Sequence, residues 1–491
     1  MTEGIERYDR QKLIEGWDQK KLEQGTVTII GSDLLAQYTA LSLAALGAGT
    51  IRIIDVRPGT QEDALLDMPL AGKARSEKLA TALHSINPKV STVGISSELT
   101  AAPACYFLRG SNVVIDATNS IISKNNALRY CKEKQIPLIS ASTNANRGKV
   151  AFSPSKIPEE YMLMRMFSEA RQDDLVSLML GGVIAEEAKK VVMGAPLEAL
   201  ISTAYDYNIA SDERFNYMDN RQLPALDGIF SQKRILLVGA GALGCFIGPA
   251  VMRNLNPQQL EIMDYDKVEE HNLNRQVCHY NAVGELKAES LSRVLSRMSR
   301  GTAVRPLVGK FDEKFTSDTK YDLIFDAVDS FYAKSVLHSY ALENKIHLVS
   351  GGTDFRALTV LSSIPGITSC LNCQINLNNL ALKAEIIRRT SCIQAPNPSV
   401  VMTNQIAGAL MVAEARRALQ PDAYGSPLNG EIKYIADFDS RGGVTRQASV
   451  CDCYTKGVQR VELPDPARVK VEELLVNGRH TQKVYLDGVE L

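Results

Sequence analysis

The sequence predicts an α/β fold of tandem doubly wound domains, and three observations carry that prediction. Residues 27–55, "VTIIGSDLLAQYTALSLAALGAGTIRIID", run from an apolar, β-branched stretch through a glycine and a helical stretch to a second apolar run ending in Asp55. That is the outline of a nucleotide-binding βαβ unit. Residues 234–266 repeat it, so that Gly31 falls on Gly239 and Asp55 on Asp264. The correspondence then continues at an offset near 208–210 residues. Lys78 falls on Lys287, "NVVIDATNS" (112–120) on "DLIFDAVDS" (322–330), and "IPLISAST" (136–143) on "IHLVSGGT" (346–353). "GGVIAEEAKKVV" (181–192) echoes "NQIAGALMVAEARRAL" (404–419). Strands alternating with helical patterns in each copy predict two mostly parallel, Rossmann-like sheets.

The first copy is expected over residues 1–205. A polar linker over 206–230, "YNIASDERFNYMDNRQLPALDG" in its main part, leads to a second copy over 231–460. Residues 461–491 are too few for a further domain of ordinary size and predict a short appendage or an added strand.

Composition narrows the function. The 491 residues carry a formal net charge of −1, with 45% hydrophobic and 23% charged residues, which is ordinary for a soluble globular chain. Charge therefore favours no nucleic acid and no membrane surface as partner. The opening "MTEGIERYDRQKL" has no apolar core for a signal peptide, and no apolar run reaches membrane-spanning length, so the cytoplasm is the expected location. Of nine cysteines, Cys105, Cys131, Cys245 and Cys278 lie in or near apolar segments and read as buried small hydrophobes. The other five cluster between residues 370 and 453, a pattern that in a cytosolic chain points to metal or catalysis.

The chemistry is written in the second copy. In "ILLVGAGALG", Gly239, Gly241 and Gly244 fit Gly-x-Gly-x-x-Gly, which lets a backbone turn tightly and approach a phosphate at a helix N-terminus. Asp264 ends the next strand, where a carboxylate can accept ribose hydroxyls. Alone this suits NAD, FAD, S-adenosylmethionine or ATP. The residues that follow favour a triphosphate. Arg275 and Lys287 can neutralise phosphate oxygens, and Asp329, at a second strand end, can hold magnesium. Each also has a plainer reading, as surface charge or as a helix cap.

The run "HNLNRQ", downstream of "GAGALG" and upstream of "DAVDS", resembles the ubiquitin-activating enzyme superfamily, which includes bacterial adenylyltransferases of molybdopterin and thiamine biosynthesis. The resemblance covers nearly the whole chain and begins at "RYDRQ" (7–11). It implies two domains related by a pseudo-twofold axis within one functional monomer. It implies ATP-dependent adenylation of the C-terminal carboxylate of a ubiquitin-like β-grasp protein ending Gly-Gly. It further implies that Asp264 lies at the ribose, that Asp266 belongs to the ATP site, that Ala242 meets the adenine nucleotide, that Arg275 and Lys287 hold phosphates, that Asp329 organises magnesium, and that Asn272 shapes the site. Arg10 would cross to the ATP of the opposite half.

By the same resemblance "CLNC" (Cys370, Cys373) and "CDC" (Cys451, Cys453) would bind a structural zinc, although the second pair is C-x-C rather than C-x-x-C. Cys392, in "RRTSCIQAPNPSV", resembles the thioester cysteine of a crossover loop. Pro396 and Pro398 exclude a regular helix there, and Arg388 and Arg389 are placed to favour a thiolate. The thioester would pass to a conjugating enzyme or another acceptor. The first copy lacks Gly-x-Gly-x-x-Gly, carries no Asn-Leu-x-Arg-Gln run, and has Asn119 for Asp329, so it is expected not to bind ATP. Three alternatives stay open: a sulfur-carrier-protein adenylyltransferase for cofactor or tRNA thiolation, a two-domain NAD oxidoreductase, and a non-catalytic scaffold.

Overall fold

A computed structural model of the chain describes residues 6–490 apart from 145, 155–158, 164–173, 202–203, 210, 213, 215–227, 391–396, 437–441, 457–460, 462–463, 465–467, 477–478 and 487. Cys392 and Pro396 therefore lie outside the described residues.

The first copy contains β1 (Thr26–Ile30), β2 (Thr50–Ile54), a short pair β3 (Ala64–Leu65) and β4 (Met68–Pro69), β5 (Ser91–Ile95), β6 (Val113–Asp116), β7 (Leu138–Asn144), β8 (Arg147–Ser153) and β9 (Tyr205–Asn208). The second contains β10 (Arg234–Val238), β11 (Gln259–Asp264), β12 (Ala303–Val308), β13 (Leu323–Asp326), β14 (His347–Thr353), β15 (Ala357–Ser363), β16 (Gly430–Ile435) and β17 (Gly442–Arg446). Their sheet orders, β5-β2-β1-β6-β7-β8-β9 and β12-β11-β10-β13-β14-β15-β16-β17, correspond strand for strand, with β17 as an extra edge. The central strands are parallel because each is joined to the next through a helix.

From β7 and from β14 onward the pairing turns antiparallel, a change the sequence pattern did not announce. The cause is local. Only Asp354–Arg356 separates β14 from β15, and the Asp354 carboxylate accepts from the N–H groups of Arg356 and Ala357. So short a connection closes a hairpin and cannot make a parallel crossover. The stretch expected as a linker also begins in the first sheet, as β9, and then reaches Arg214, which is fully buried. The Arg214 guanidinium pairs with Glu414 (Nε–Oε1 2.6 Å), and Arg417 joins them (3.0 Å). Burial pushes the Glu414 carboxyl up, but the two arginines outweigh it and hold it below the ordinary value.

The two sheets face one another across a shared layer of helices. The helix Val401–Leu419 is buried along its whole length, and Asp174–Met193, its counterpart, along most of its own. Their axes come close because Gly182 leaves the space for Ile406, where a Cβ would lie 2.7 Å away; Gly408 likewise admits Phe246 of a third helix, Gly244–Asn254, at 2.7 Å. Ser42 donates to Gln405 (2.5 Å) and Gln405 to the Leu178 carbonyl (2.8 Å), so polar groups fix the register of this apolar contact. Residues 469–490 form a small antiparallel sheet, β18 (Val469–Val476), β19 (Arg479–Leu486) and β20 (Val489–Glu490), that pairs with neither large sheet and packs on the helix Leu377–Thr390.

Candidate functional site

The C-terminal ends of β10, β11 and β13 meet at the point where the strand order reverses, the usual seat of a ligand in an open α/β sheet. Gly239 adopts φ +103°, and a Cβ there would lie 2.6 Å from the Ala327 carbonyl. A Cβ on Gly244 would lie 2.2 Å from the Gly239 carbonyl. Both glycines are thus demanded by the fold itself. Gly241 is not: its nearest neighbour would be Gln276 Nε2 at 3.6 Å, so the bare backbone there leaves room for something outside the chain. Ala242 follows in the same turn, just before the helix Gly244–Asn254. His279, fully buried, links the turn to its surroundings. Its Nε2 is 2.7 Å from the Ala240 carbonyl and its Nδ1 is 2.9 Å from Ser290 Oγ, on the helix that begins at Lys287.

Asp264 Oδ2 accepts from the Ala240 N–H and Oδ1 from the Asp266 N–H, both at 2.8 Å. Each oxygen keeps one acceptor site open for a hydroxyl. Asp266 and Lys287, both expected at the nucleotide, are paired with each other (3.0 Å), so a phosphate must draw Lys287 away from a half-exposed carboxylate. Asn272 is buried, and its side-chain carbonyl accepts from the Glu269 N–H (3.0 Å) in a reciprocal cap of the turn Glu270–Asn272, which shapes the loop.

Arg275 donates to the His271 carbonyl (2.9 Å) and to Asn274 Oδ1 (2.8 Å), and makes no ion pair among the described residues. Burial, and then the charge of Arg10, push its pKa down to about 10, with Asp329 opposing. An anion at this place would relieve both penalties. Asp329 is exposed, and its charge also helps raise the Tyr265 hydroxyl, behind burial and Asp266.

The first copy reaches across into this loop. Arg10 Nη2 lies 3.5 Å from His271 Nε2, Asn274 donates to Gln11 (3.0 Å), and Arg7 donates to the Leu273 carbonyl (3.4 Å). The reverse crossing is made from the first copy's residues 56–72: Arg253 donates to the Ala64 carbonyl (2.6 Å), and Asp67 accepts from Arg297 (3.0 Å) and Tyr280 (3.4 Å).

The corresponding place in the first copy also holds a cavity, of about 450 Å³, lined by Gly31, Asp33, Asp55, Arg57 and Asn119 among others. Its chemistry is reversed. Asp33 stands where Gly241 stands, putting a carboxylate where a phosphate would pass. Asp55 accepts from the Arg57 backbone (2.9 Å), from Arg57 Nε (3.0 Å) and Nη2 (2.7 Å), and from Ser32 Oγ (2.6 Å). Those four donors fill the acceptor sites that Asp264 keeps open. Burial raises the Asp55 carboxyl, but the Arg57 and Ser32 bonds outweigh it and bring it to about 2. Arg75 closes the network through Asp33 (2.6 Å), Ser32 (2.7 Å) and Asp63 (3.2 Å). These residues line the crevice with a charge network internal to the chain, and the sequence reading had not singled them out.

A second omission is a buried pair present in both copies. Lys334 Nζ sits 3.1 Å from both Asp326 oxygens and 2.7 Å from the Gly351 carbonyl. Lys124 lies 3.5 Å from Asp116 and 3.1 Å from the Ala141 carbonyl. The signal was there: each strand-end aspartate is followed eight residues later by a lysine.

Cys370, Cys373, Cys451 and Cys453 place their sulfurs within 4.8 Å of one another, with Cys373 and Cys453 at 3.5 Å. Four thiolates on one tetrahedral zinc stand about 3.8 Å apart, given Zn–S bonds of about 2.3 Å, so the set fits that ion despite the C-x-C spacing. The Cys370 N–H donates to Cys451 Sγ (3.2 Å), as an N–H beside a metal thiolate does.

Arg388 and Arg389 share the single carboxylate of Glu385 (2.6 and 2.9 Å) one turn back on their own helix, and Cys392 lies outside the described residues. One expectation needs correction. Cys105 is exposed, not buried, because it lies on the outer side of the helix Ala101–Phe107. Among the described residues no helix is long and apolar enough to cross a membrane.

Comparison with known proteins gives a consistent result. The ThiF family matches residues 8–227 and again residues 220–449. The molybdopterin-synthase adenylyltransferase of Escherichia coli is 28% identical over 204 residues, 40% of this chain and 77% of that one. The NEDD8-activating enzyme E1 catalytic subunit of Arabidopsis thaliana is 31% identical over 172 residues, 31% and 36% of the two chains. The adenylyltransferase and sulfurtransferase UBA4 of Eremothecium gossypii is 35% identical over 123 residues, 24% and 27% of the two chains.

Proposed function

Because the chain belongs to the ThiF family, matched once by each of its halves, we propose that it is an adenylyl-forming enzyme with one working site, in the second copy, that activates a ubiquitin-like protein. The observation that carries this reading is the asymmetry between the copies. One strand-end crevice has an unfilled glycine turn, a carboxylate with open acceptor sites and a partly buried arginine with no ion pair among the described residues; in the other, Asp33 takes the place of the middle glycine and Arg57 and Ser32 occupy the carboxylate.

In the first step a C-terminal carboxylate oxygen of a β-grasp protein ending Gly-Gly attacks the α-phosphorus of ATP. The bond to the α–β bridging oxygen breaks, and pyrophosphate leaves. Nucleophile and triphosphate are both anionic, so the protein's work is positioning and charge compensation. Arg275, Lys287 and Arg10 supply that charge, Asp264 receives the ribose, and Asp329 would hold magnesium. That ion, when bound, neutralises phosphate oxygens. In the second step the Cys392 thiolate attacks the acyl carbon, the bond to the phosphate oxygen breaks, and AMP departs. The thioester then passes to a conjugating enzyme or another acceptor. The Cys370–Cys453 cluster takes structural zinc, and the paired copies let one chain work as a monomer.

The second reading, adenylation of a sulfur-carrier protein, shares the first step and is favoured by similarity to the molybdopterin-synthase and UBA4 adenylyltransferases. One experiment separates the two. The purified chain is incubated with magnesium ATP and Gly-Gly-ending β-grasp proteins, following pyrophosphate exchange and thiol-sensitive adducts. Exchange with an adduct that Cys392→Ala abolishes supports thioester transfer. Exchange with an undiminished adduct, or with none, removes Cys392 and leaves the sulfur-carrier reading. Exchange unaffected by Asp329→Ala refutes the site.

A further inference from the structure

We propose that His271 is the seat through which the first copy delivers Arg10 to the phosphate crevice of the second, its neutral imidazole accepting from the Arg10 guanidinium. The inference rests on the adenylation site proposed above and adds to it a positioning residue that responds to protonation.

Three residues of the N-terminal segment, Arg7, Gln11 and Arg10, fasten it to the 269–276 loop. Two of them make contacts that do not titrate near neutrality: Arg7 on the Leu273 carbonyl (3.4 Å) and beside the Glu270 carboxylate (3.8 Å), and Gln11 with Asn274 (3.0 Å). These hold the backbone of the short helix Asp9–Lys12 against the loop. The third, Arg10 Nη2 to His271 Nε2 at 3.5 Å, depends on the imidazole keeping a lone pair on Nε2. Arg10 has no carboxylate partner among the described residues, so His271 is what its guanidinium meets.

The surroundings settle the imidazole's state. Facing it are Arg10 from the first copy, Arg275 and Glu269 from its own loop, and Lys287 from the following helix. Burial first, then Arg10, Arg275 and Lys287, disfavour a proton; Glu269 opposes them. Glu269 Oε2 lies 3.2 Å from Nδ1, off the line of a hydrogen bond. A proton on Nδ1 therefore faces a carboxylate, while Nε2 stays free to accept. When His271 takes a second proton, Nε2 becomes a donor and four cations share one crevice. Arg10 must then turn away, while the Arg7 and Gln11 contacts keep the copies together. The active site loses its cross-copy charge without losing its architecture.

The test is calorimetric titration with magnesium ATP from pH 8 to pH 5.5, which needs no protein substrate. His271→Ala should weaken binding about fivefold at pH 8, and His271→Asn, whose amide oxygen can accept, should restore most of it. As pH falls to 5.5, the wild-type chain should lose about threefold more affinity than His271→Asn, and that difference should vanish in an Arg10→Ala background. Equal pH dependence in wild type and His271→Asn overturns the proposal. So does a wild-type affinity that rises relative to His271→Asn in acid, since that would make the imidazolium a direct phosphate ligand. Wild-type affinity in Arg10→Ala at pH 8 overturns it as well. Failure of exchange with every β-grasp protein, with these binding results intact, would instead fault the proposed substrate and leave the seat standing.

Discussion

Gly241→Asp transplants the first copy's residue into the second and tests the reason for the asymmetry directly. The position has an ordinary negative φ, and a Cβ there meets nothing closer than 3.6 Å, so the fold should absorb the change. The carboxylate, however, would sit where the triphosphate passes. Two unit charges about 4 Å apart interact by about 4 kcal/mol at the effective dielectric of a partly buried site. Solvent in an open crevice reduces that to about 2–4 kcal/mol, a loss of roughly 30- to 1,000-fold in affinity. The assay is calorimetry with magnesium ATP beside thermal unfolding. We expect an unfolding temperature within a few degrees of wild type and ATP binding weakened by at least about 30-fold. Gly241→Ala, which adds the carbon without the charge, should lose less than about tenfold. If Gly241→Asp binds ATP within threefold of wild type, the phosphates do not cross this turn and the explanation of the silent copy fails.

Other consequences can be checked with equal economy. Arg214→Met leaves Glu414 buried with only Arg417 to balance it, and should destabilise the chain by about 3–5 kcal/mol in denaturant unfolding. Because the Glu414 carboxyl is held low in the folded state, its contribution is present above the ordinary carboxylate pKa and fades as pH falls through the folded value. Asp55 behaves likewise. Its folded pKa of about 2 means its stabilising bonds are complete above about pH 4 and lost toward pH 2, and Arg57→Ala should flatten that acid limb of the stability–pH curve. Cys451→Ser should lower the zinc content measured by elemental analysis from one ion per chain, and chelation of the wild type should reproduce its loss of stability.

The parts of this molecule that sequence disclosed are those with a local signature. The duplication, the strand-end aspartates 55 and 264, and the glycine turn are all periodic or contiguous features. The antiparallel extension was hidden because β8, β9, β15 and β16 are placed by hairpin geometry and by partners far along the chain. The Asp33–Arg57–Arg75 network escaped notice because its members look like ordinary surface charges until the fold gathers them around Asp55. His271 was visible only as a letter inside "HNLNRQ", since its neighbour Arg10 is 261 residues away. The arginines beside Cys392 share a carboxylate, that of Glu385 on the same helix, which adjacency in sequence did not single out.

The buried helix Val401–Leu419 has a bearing on how the chain is made. It covers Asp174–Met193 and the neighbouring helix Leu34–Leu46, and it is synthesised more than two hundred residues after them. At ribosomal rates of about 5–20 residues per second, the apolar face of Asp174–Met193 waits roughly 10–45 seconds for its cover, and that of Leu34–Leu46 roughly 20–70 seconds. During that interval a half-made molecule presents a broad sticky surface, which binding to a chaperone or to a neighbouring nascent chain would shield. The ion-paired crevice of the first copy thus acquires a biosynthetic side: its Asp33, Asp55, Arg57 and Arg75 contacts are all internal to that copy and need no residue made later.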